Sequence, residues 1–308
     1  MILVFGSLNI DMVMPVGQFP KPGETVLCTT DYLSRPGGKG ANQAVAAARV
    51  GAKVGMIGMV GDDSFGRRCV NNLKHQGIWA SGVGTSERPT GCSMIGIDGQ
   101  GKNIVITAPG ANYDTRADQA PDELFTPKNI LLTQFEVSLQ EAMSVLQRAH
   151  ARKTVTILNP SPVRKMPMEI VRNVDYLIVN EIEALQMAQA LGISTNDPTV
   201  IARTIAAAGT GACLITLEDK GVIAAKGAEM YSIGSLQIEP IDTTGAGDTL
   251  CGVFAACLHE GMNWLDALHR ASVGAGLSCL EIGAQDGMPA MEDIVKNLPR
   301  LAPAQKIA

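Results

Sequence analysis

Asp242-Thr243-Thr244-Gly245-Ala246-Gly247-Asp248 places a glycine turn before a helix expected over residues 249–260, with a carboxylate directly after the turn. Gly245 and Gly247 let the main chain approach a ligand with no Cβ in the way. The free N–H groups of the helix's first turn aim back at that point. With the positive end of the helix they favour an anion. A carboxylate beside an anion is useful when a reaction needs a base, so the stretch points to group transfer from a phosphate donor.

Outward from this turn, the second half of the chain alternates regularly. Apolar runs predict strands over residues 129–133, 154–159, 176–180, 212–216 and 222–225. Helices are expected over 139–151, 181–191, 198–208, 249–260 and 264–280. This rhythm specifies an α/β fold: a doubly wound, mostly parallel sheet with helices on both faces. In the first third, strands are expected over 2–5 and 54–60 and helices over 41–50 and 64–76, with 36–40 as a loop. The rhythm breaks over about residues 11–36 and 89–107. A strand over 28–33 and a hairpin of 92–97 with 103–107, turning at Asp98-Gly99-Gln100-Gly101, read as inserted β material. Together these segments form an expected small β-sheet flap on one α/β domain spanning residues 1–308.

The 308-residue chain is 46% hydrophobic but only 4% aromatic, so aliphatic side chains fill its core and few rings are left to stack bases. A net charge of −5 without a basic run argues against nucleic acid as a partner. The apolar N-terminus meets Asn9 and Asp11 at once and reads as a buried strand rather than a signal peptide. No apolar run reaches membrane-spanning length. Seven scattered cysteines without a C-x-x-C pair fit small apolar residues in a reducing cytosol, so the expected location is cytoplasmic. The four histidines lack metal-ligand spacing, and Ser7 and Ser161 lack a hydrolase setting.

Doubly wound sheets bind ligands beyond the carboxyl ends of their strands. Asn9, Asp11, Glu136, Asn180 and Thr216 all fall at or just past such ends. Asn9 and Asp11, two apart in extended chain, point the same way and can grip neighbouring hydroxyls. Gly37-Gly38-Lys39-Gly40-Ala41-Asn42 sets a glycine loop before a helix, and it is not a Walker A loop. Glu136 suits a hydroxyl or a cation, or is a surface charge. Asn180 and Glu183 fit a capping box, or hold water around Mg²⁺.

Gly37 to Ala46 and Asp242 to Thr249 together resemble the two signatures of the ribokinase family of carbohydrate kinases, also called the phosphofructokinase-B family. Gly6-Ser7-Leu8-Asn9-Ile10-Asp11 is similar to that family's sugar-binding start, and Asn180-Glu181-Ile182-Glu183 to its N-x-x-E motif. The resemblance covers nearly the whole chain. It implies ATP-dependent phosphorylation of the primary hydroxyl of a furanose: ATP and D-ribose giving ADP and ribose 5-phosphate. A relative acting on deoxyribose, a nucleoside or fructose is the alternative, as is a sugar-binding protein of weak turnover.

By the resemblance, Asn9, Asp11, Gly38, Lys39, Asn42 and Glu136 bind the sugar. Asp248 is the base, and Gly245, Ala246 and Gly247 donate to the transferring phosphoryl group. Asn180, Thr216, Glu218, Gly221, Gly247 and Ser272 line the nucleotide site, with Mg²⁺ held through water by Glu183. A monovalent cation, K⁺, falls to Asp242, Thr244, Ser278, Glu281, Gly283 and Gly287. The flap becomes a lid that pairs two copies into a homodimer; apart from the resemblance, Ser93 and Ile95 on the second flap hairpin are expected to face the sugar and set specificity. Three positions depart from the family pattern: Glu218 stands where a glycine is usual, Ser272 where an asparagine is frequent, and Gly287 where a serine often serves the cation.

Overall fold

The computed structural model describes residues 1–100 and 103–307, so Gly101 of the expected 98–101 turn lies outside the described residues. The first half contains β1 (Ile2–Phe5), β2 (Asn9–Pro15), β3 (Leu33–Gly37), α1 (Lys39–Arg49), β4 (Val54–Gly61), α2 (Ser64–His75), β5 (Trp79–Ser86), β6 (Gly91–Ile97), β7 (Asn103–Ala108) and β8 (Ile130–Gln134). The second half contains α3 (Leu139–Ala151), β9 (Val155–Asn159), β10 (Tyr176–Asn180), α4 (Glu181–Ala190), α5 (Pro198–Ala207), β11 (Ala212–Thr216), β12 (Val222–Lys226), β13 (Glu229–Ile233), α6 (Ala246–His259), α7 (Trp264–Ser278), α8 (Met291–Asn297) and β14 (Gln305–Lys306).

A 10-stranded sheet runs β14-β13-β12-β11-β10-β9-β8-β1-β4-β5. Every neighbouring pair from β11 to β5 is parallel, and β12, β13 and β14 add on antiparallel. From β1 the chain winds outward to β4 and β5 on one side and to β8 and beyond on the other, so the winding reverses between β1 and β8. Successive side chains of a strand face opposite ways. Ile2 and Val4 accordingly join the core beneath α1, α6 and α7, while Leu3 and Phe5 join the core beneath α3, α4 and α5. Among the described residues no helix is long and apolar enough to cross a membrane.

A separate 4-stranded sheet runs β3-β2-β6-β7. It is the expected flap, but built differently at its first edge. The strand expected over 28–33 reduces to an isolated bridge between Val16 and Cys28, and β3 takes Leu33–Gly37 instead, part of the expected 36–40 loop. Pro36 is tolerated there because β3 is an edge strand. Residues 9 and 10 also belong to this sheet, two positions earlier than expected. Helices α1 and α6 start before their expected first residues, at Lys39 and Ala246. β5, β13, β14 and α8 had no expectation.

Candidate active site

Gly245 is the N-cap of α6 at φ 81°, in the left-handed region that favours glycine. A Cβ there would also lie 2.5 Å from the carbonyl oxygen of Ala284. Both constraints bend the chain so that α6 begins at Ala246 and Asp248 falls in its first turn. Among the described residues the N–H groups of Gly245 and Gly247 meet no acceptor, whereas that of Ala246 donates to Thr243 O at 3.2 Å. Two free donors at a helix N-terminus suit an anion.

Asp248 is 7% exposed. Its Oδ2 accepts from Nδ2 of Asn42 at 2.9 Å and its Oδ1 from Nε2 of Gln43 at 3.0 Å. Both donors come from α1, which packs tightly on α6. A Cβ on Gly252 would sit 2.5 Å from the Gln43 carbonyl oxygen and 2.6 Å from Ala46 Cβ. Burial raises the Asp248 carboxyl above the usual carboxylate range, opposed by the Lys39 ammonium and by the Asn42 and Gln43 amides. A carboxylate so tuned suits proton abstraction.

Gly38 caps α1 at φ 89° and lies under the turn between β1 and β2, where a Cβ would come within 2.8 Å of Asn9 N. The same turn fixes Ser7, whose hydroxyl donates to Glu136 Oε2 at 2.6 Å; that oxygen also accepts from Lys39 N at 3.0 Å. Glu136 follows β8 and Ser7 follows β1, so this group straddles the point where the winding reverses, where open α/β sheets bind ligands. Burial works against the Lys39 ammonium, but Asp248 and Glu136 hold it above the usual lysine range.

Asn9 is buried at the start of β2. Its Oδ1 accepts from Nδ2 of Asn112 at 2.7 Å, and its Nδ2 reaches Ser93 Oγ at 3.5 Å. Asp11, Ser93 and Thr107 are register neighbours across β2, β6 and β7 and form a polar row on one face of the smaller sheet. Burial pushes the Asp11 carboxyl up to about 7, against the Ser93 hydrogen bond and with the help of Glu136 and Asp248. Asn9, Asp11, Lys39, Asn42, Glu136 and Asp248 are thereby joined in one network of contacts and charges, with Gly38 beneath it.

On the other flank, Asn180 and Thr216 are register partners at the carboxyl ends of β10 and β11. Asn180 Oδ1 accepts from Glu183 N at 2.7 Å and Glu183 Oε2 accepts from Asn180 N at 3.0 Å, a complete capping box. Gly221 takes φ 93°. Glu218 takes φ 54°, a conformation the usual glycine would adopt without strain. Ser272 on α7 is buried, and its hydroxyl has no partner among the described residues. Such an orphaned group fits a site completed by a polar ligand.

Asp242 ties two loops together: Oδ1 accepts from Thr244 N and Oδ2 from Gly283 N, both at 2.9 Å. Ser278 is buried with its hydroxyl on Ala275 O, Glu281 is exposed, and Gly287 packs on the Ser278 carbonyl. Among the described residues no three His, Cys, Asp or Glu side chains converge as a metal site. Both Asp242 oxygens thus accept from main-chain N–H groups, which leaves each one a further lone pair. The sequence reading missed Gln43, Asn112 and Gln285. Gln43 gave a signal, a long amide amid the alanines of α1 at a position that is fully buried.

A family model described as "pfkB family carbohydrate kinase" matches residues 1–291. The chain is 37% identical over 298 residues to a ribokinase of Bacillus subtilis, covering 95% of this chain and 97% of that protein. Its fold is similar to the crystal structure of a ribokinase from Thermotoga maritima, with a TM-score of 0.89 and 32% identity over 97% of this chain and 99% of that one. It is similar also to an Arabidopsis thaliana ribokinase complexed with ribose and ATP, with a TM-score of 0.85 and 27% identity over 96% and 98% of the two chains.

Proposed function

This chain belongs to the pfkB family of carbohydrate kinases and is an ATP-dependent sugar kinase, and from that premise we propose that it is a ribokinase, joining the phosphoryl group of ATP to the primary hydroxyl of D-ribose. The observation that carries the reading is the Asp248 carboxylate, buried beside free main-chain donors at the start of α6 and gripped by two amides of α1.

A primary alcohol is a poor nucleophile until a base takes its proton. Asp248 accepts that proton. Asn9 and Asp11 hold the ring hydroxyls from one side, and Lys39, Asn42 and Glu136 hold them from the other, which converts encounter into orientation. The Gly245 and Gly247 N–H groups donate to the oxygens of the transferring group, and Ala246 joins by exchanging its Thr243 acceptor. Phosphoryl transfer depends mostly on such positioning and charge stabilisation.

ATP supplies the phosphoryl group; when bound, Mg²⁺ would offset charge on its phosphates and K⁺ would add positive charge to the site. Asn180, Thr216, Gly221 and Ser272 line the nucleotide cleft, with Glu218 at its rim. Glu183 would hold Mg²⁺ through water, and Asp242 with Thr244, Ser278, Glu281, Gly283 and Gly287 would hold K⁺. The 4-stranded sheet, from the segments near 11–36 and 89–107, is a lid that excludes competing water. Its outer face exposes Met94, Ile104 and Ile106, which supports pairing of two lids in a homodimer.

The reading is tested by ADP release over a panel of ribose, deoxyribose, fructose and nucleosides, with and without potassium. Ribose is expected to give the highest kcat/KM; a nucleoside or deoxyribose ahead of it by tenfold would replace the assignment.

A further inference from the structure

Two one-way runs of side-chain amides end on the Asp248 carboxylate. In the first, Asn72 of α2 donates from Nδ2 to Gln285 Oε1 at 2.8 Å, Gln285 donates from Nε2 to Asn42 Oδ1 at 2.9 Å, and Asn42 donates to Asp248. In the second, Gln134 donates from Nε2 to Gln43 Oε1 at 2.5 Å, and Gln43 donates to Asp248 and, at 3.2 Å, also to Asn159 Oδ1. An amide has one accepting end and one donating end. Each link therefore fixes the direction of the next. With Gln285 donating to Oδ1 of Asn42, only the NH₂ end of Asn42 is left for the carboxylate. Gln285 comes from the loop after α7 and is 7% exposed, and Asn42 is 5% exposed, so water does little to fix either amide.

We propose that Gln285 is a positioning residue for Asp248, acting through Asn42 by fixing which end of that amide faces the carboxylate. The inference deepens the kinase reading and rests on it, since it assigns Gln285 to the upkeep of the base. Were the Asn42 amide to turn, its oxygen would face an oxygen of Asp248 and repulsion would replace a charge-assisted hydrogen bond. The charged and titratable groups around Asp248 are Lys39 on α1, Glu136 after β8, Asp11 on β2 and Cys251 on α6. Among the charged groups only Lys39 favours the ionised base; Glu136, Asp11 and burial all oppose it. Losing the Gln285 link therefore moves Asp248 toward its protonated form.

The test uses Gln285→Met, close in shape but unable to donate or accept, and Asn72→Leu, which removes the first link from a half-buried position on α2. The Asp248 side chain is titrated by carbon NMR in protein labelled at aspartate, its resonance assigned by its loss in Asp248→Asn. Gln285→Met is expected to raise the Asp248 pKa by about one unit, the scale of one hydrogen bond to a charged group. Asn72→Leu is expected to raise it by less. The acidic limb of the kcat profile moves with it while KM for ATP stays put. An unmoved Asp248 titration overturns the proposal, and Asn72→Leu alone decides should Gln285→Met fail to fold. If the unaltered protein released no ADP with any sugar, the kinase reading would fall, and the NMR titration would still judge the positioning role.

Discussion

Nδ2 of Asn42 lies 2.9 Å from Oδ2 of Asp248 although 206 residues separate the two in sequence. The proximity is a product of helix packing. α1 and α6 approach closely because Gly252 and Ala46 keep the surface between them shallow. Buried hydrogen bonds to a carboxylate are then available at no further cost in chain order.

Removing the base without changing its shape separates chemistry from binding. Asp248→Asn is expected to lower kcat by about 10²–10⁴-fold. Calorimetry should find ribose and ATP affinity within several-fold of the unaltered protein. Turnover near normal would exclude Asp248 as the base.

The helix contact itself is testable at Gly252. An added Cβ meets the main-chain oxygen of Gln43, which cannot swing aside as a side-chain tip would. Gly252→Ala is expected to destabilise the fold by about 1–3 kcal/mol. It also lowers kcat, because Gln43 is displaced from Asp248. Chemical denaturation and steady-state kinetics read the two effects.

Glu218 is, with Lys153, one of two non-glycine residues at positive φ among the described residues. A non-glycine in the left-handed region costs about 1–2 kcal/mol. Glu218→Gly is therefore expected to raise stability by about 1 kcal/mol and, by removing a carboxylate from the rim of the proposed nucleotide cleft, to lower KM for ATP. A rise in KM would show that Glu218 contributes to nucleotide binding.

Asp11 gives the pH dependence. Burial holds its carboxyl up at about 7, well above the ordinary aspartate range. The native state thus holds its proton over a range where the unfolded chain has released it, and this group's contribution to stability falls as pH rises from about 4 to about 7. Asp11→Asn is expected to melt higher than the unaltered protein at pH 8, by the equivalent of a few kcal/mol, with the advantage gone at pH 4. The same variant should bind sugar more weakly, as an equal melting difference at both pH values with unchanged KM would contradict.

The outer face of the 4-stranded sheet, the proposed lid, yields a separate test. Met94 and Ile106 are register partners on that face, and Ile106 is 66% exposed. Ile106→Asp is expected to convert a dimer to monomers in sedimentation velocity. A monomeric unaltered protein would remove the dimer from the proposal.

Much of this architecture was legible because its strands carry their own signal. β1, β8, β10 and β11 are apolar runs covered on both faces, and such runs read as buried parallel strands. β5 is an edge strand of the large sheet whose sequence, WASGVGTS, carries little apolar side chain, so nothing local marked it. β3 contains Pro36 and Gly37 and exists only because β2 is there to pair with it. The site divides in the same way. Asp248, Asn42 and Asn9 stand in motifs whose spacing carries chemistry. Gln285 and Asn112 act through partners more than a hundred residues away, and contacts of that range leave no local trace. Gln43 was the readable exception.

The amide runs behind Asp248 have a kinetic corollary. Carboxamides neither gain nor lose protons at working pH, so neither run is a wire. A proton taken from the sugar therefore cannot leave along either amide run and stays on Asp248 until another acceptor reaches the carboxylate. Resetting the base for the next cycle then falls to the side of the carboxylate that the Asn42 and Gln43 amides leave open.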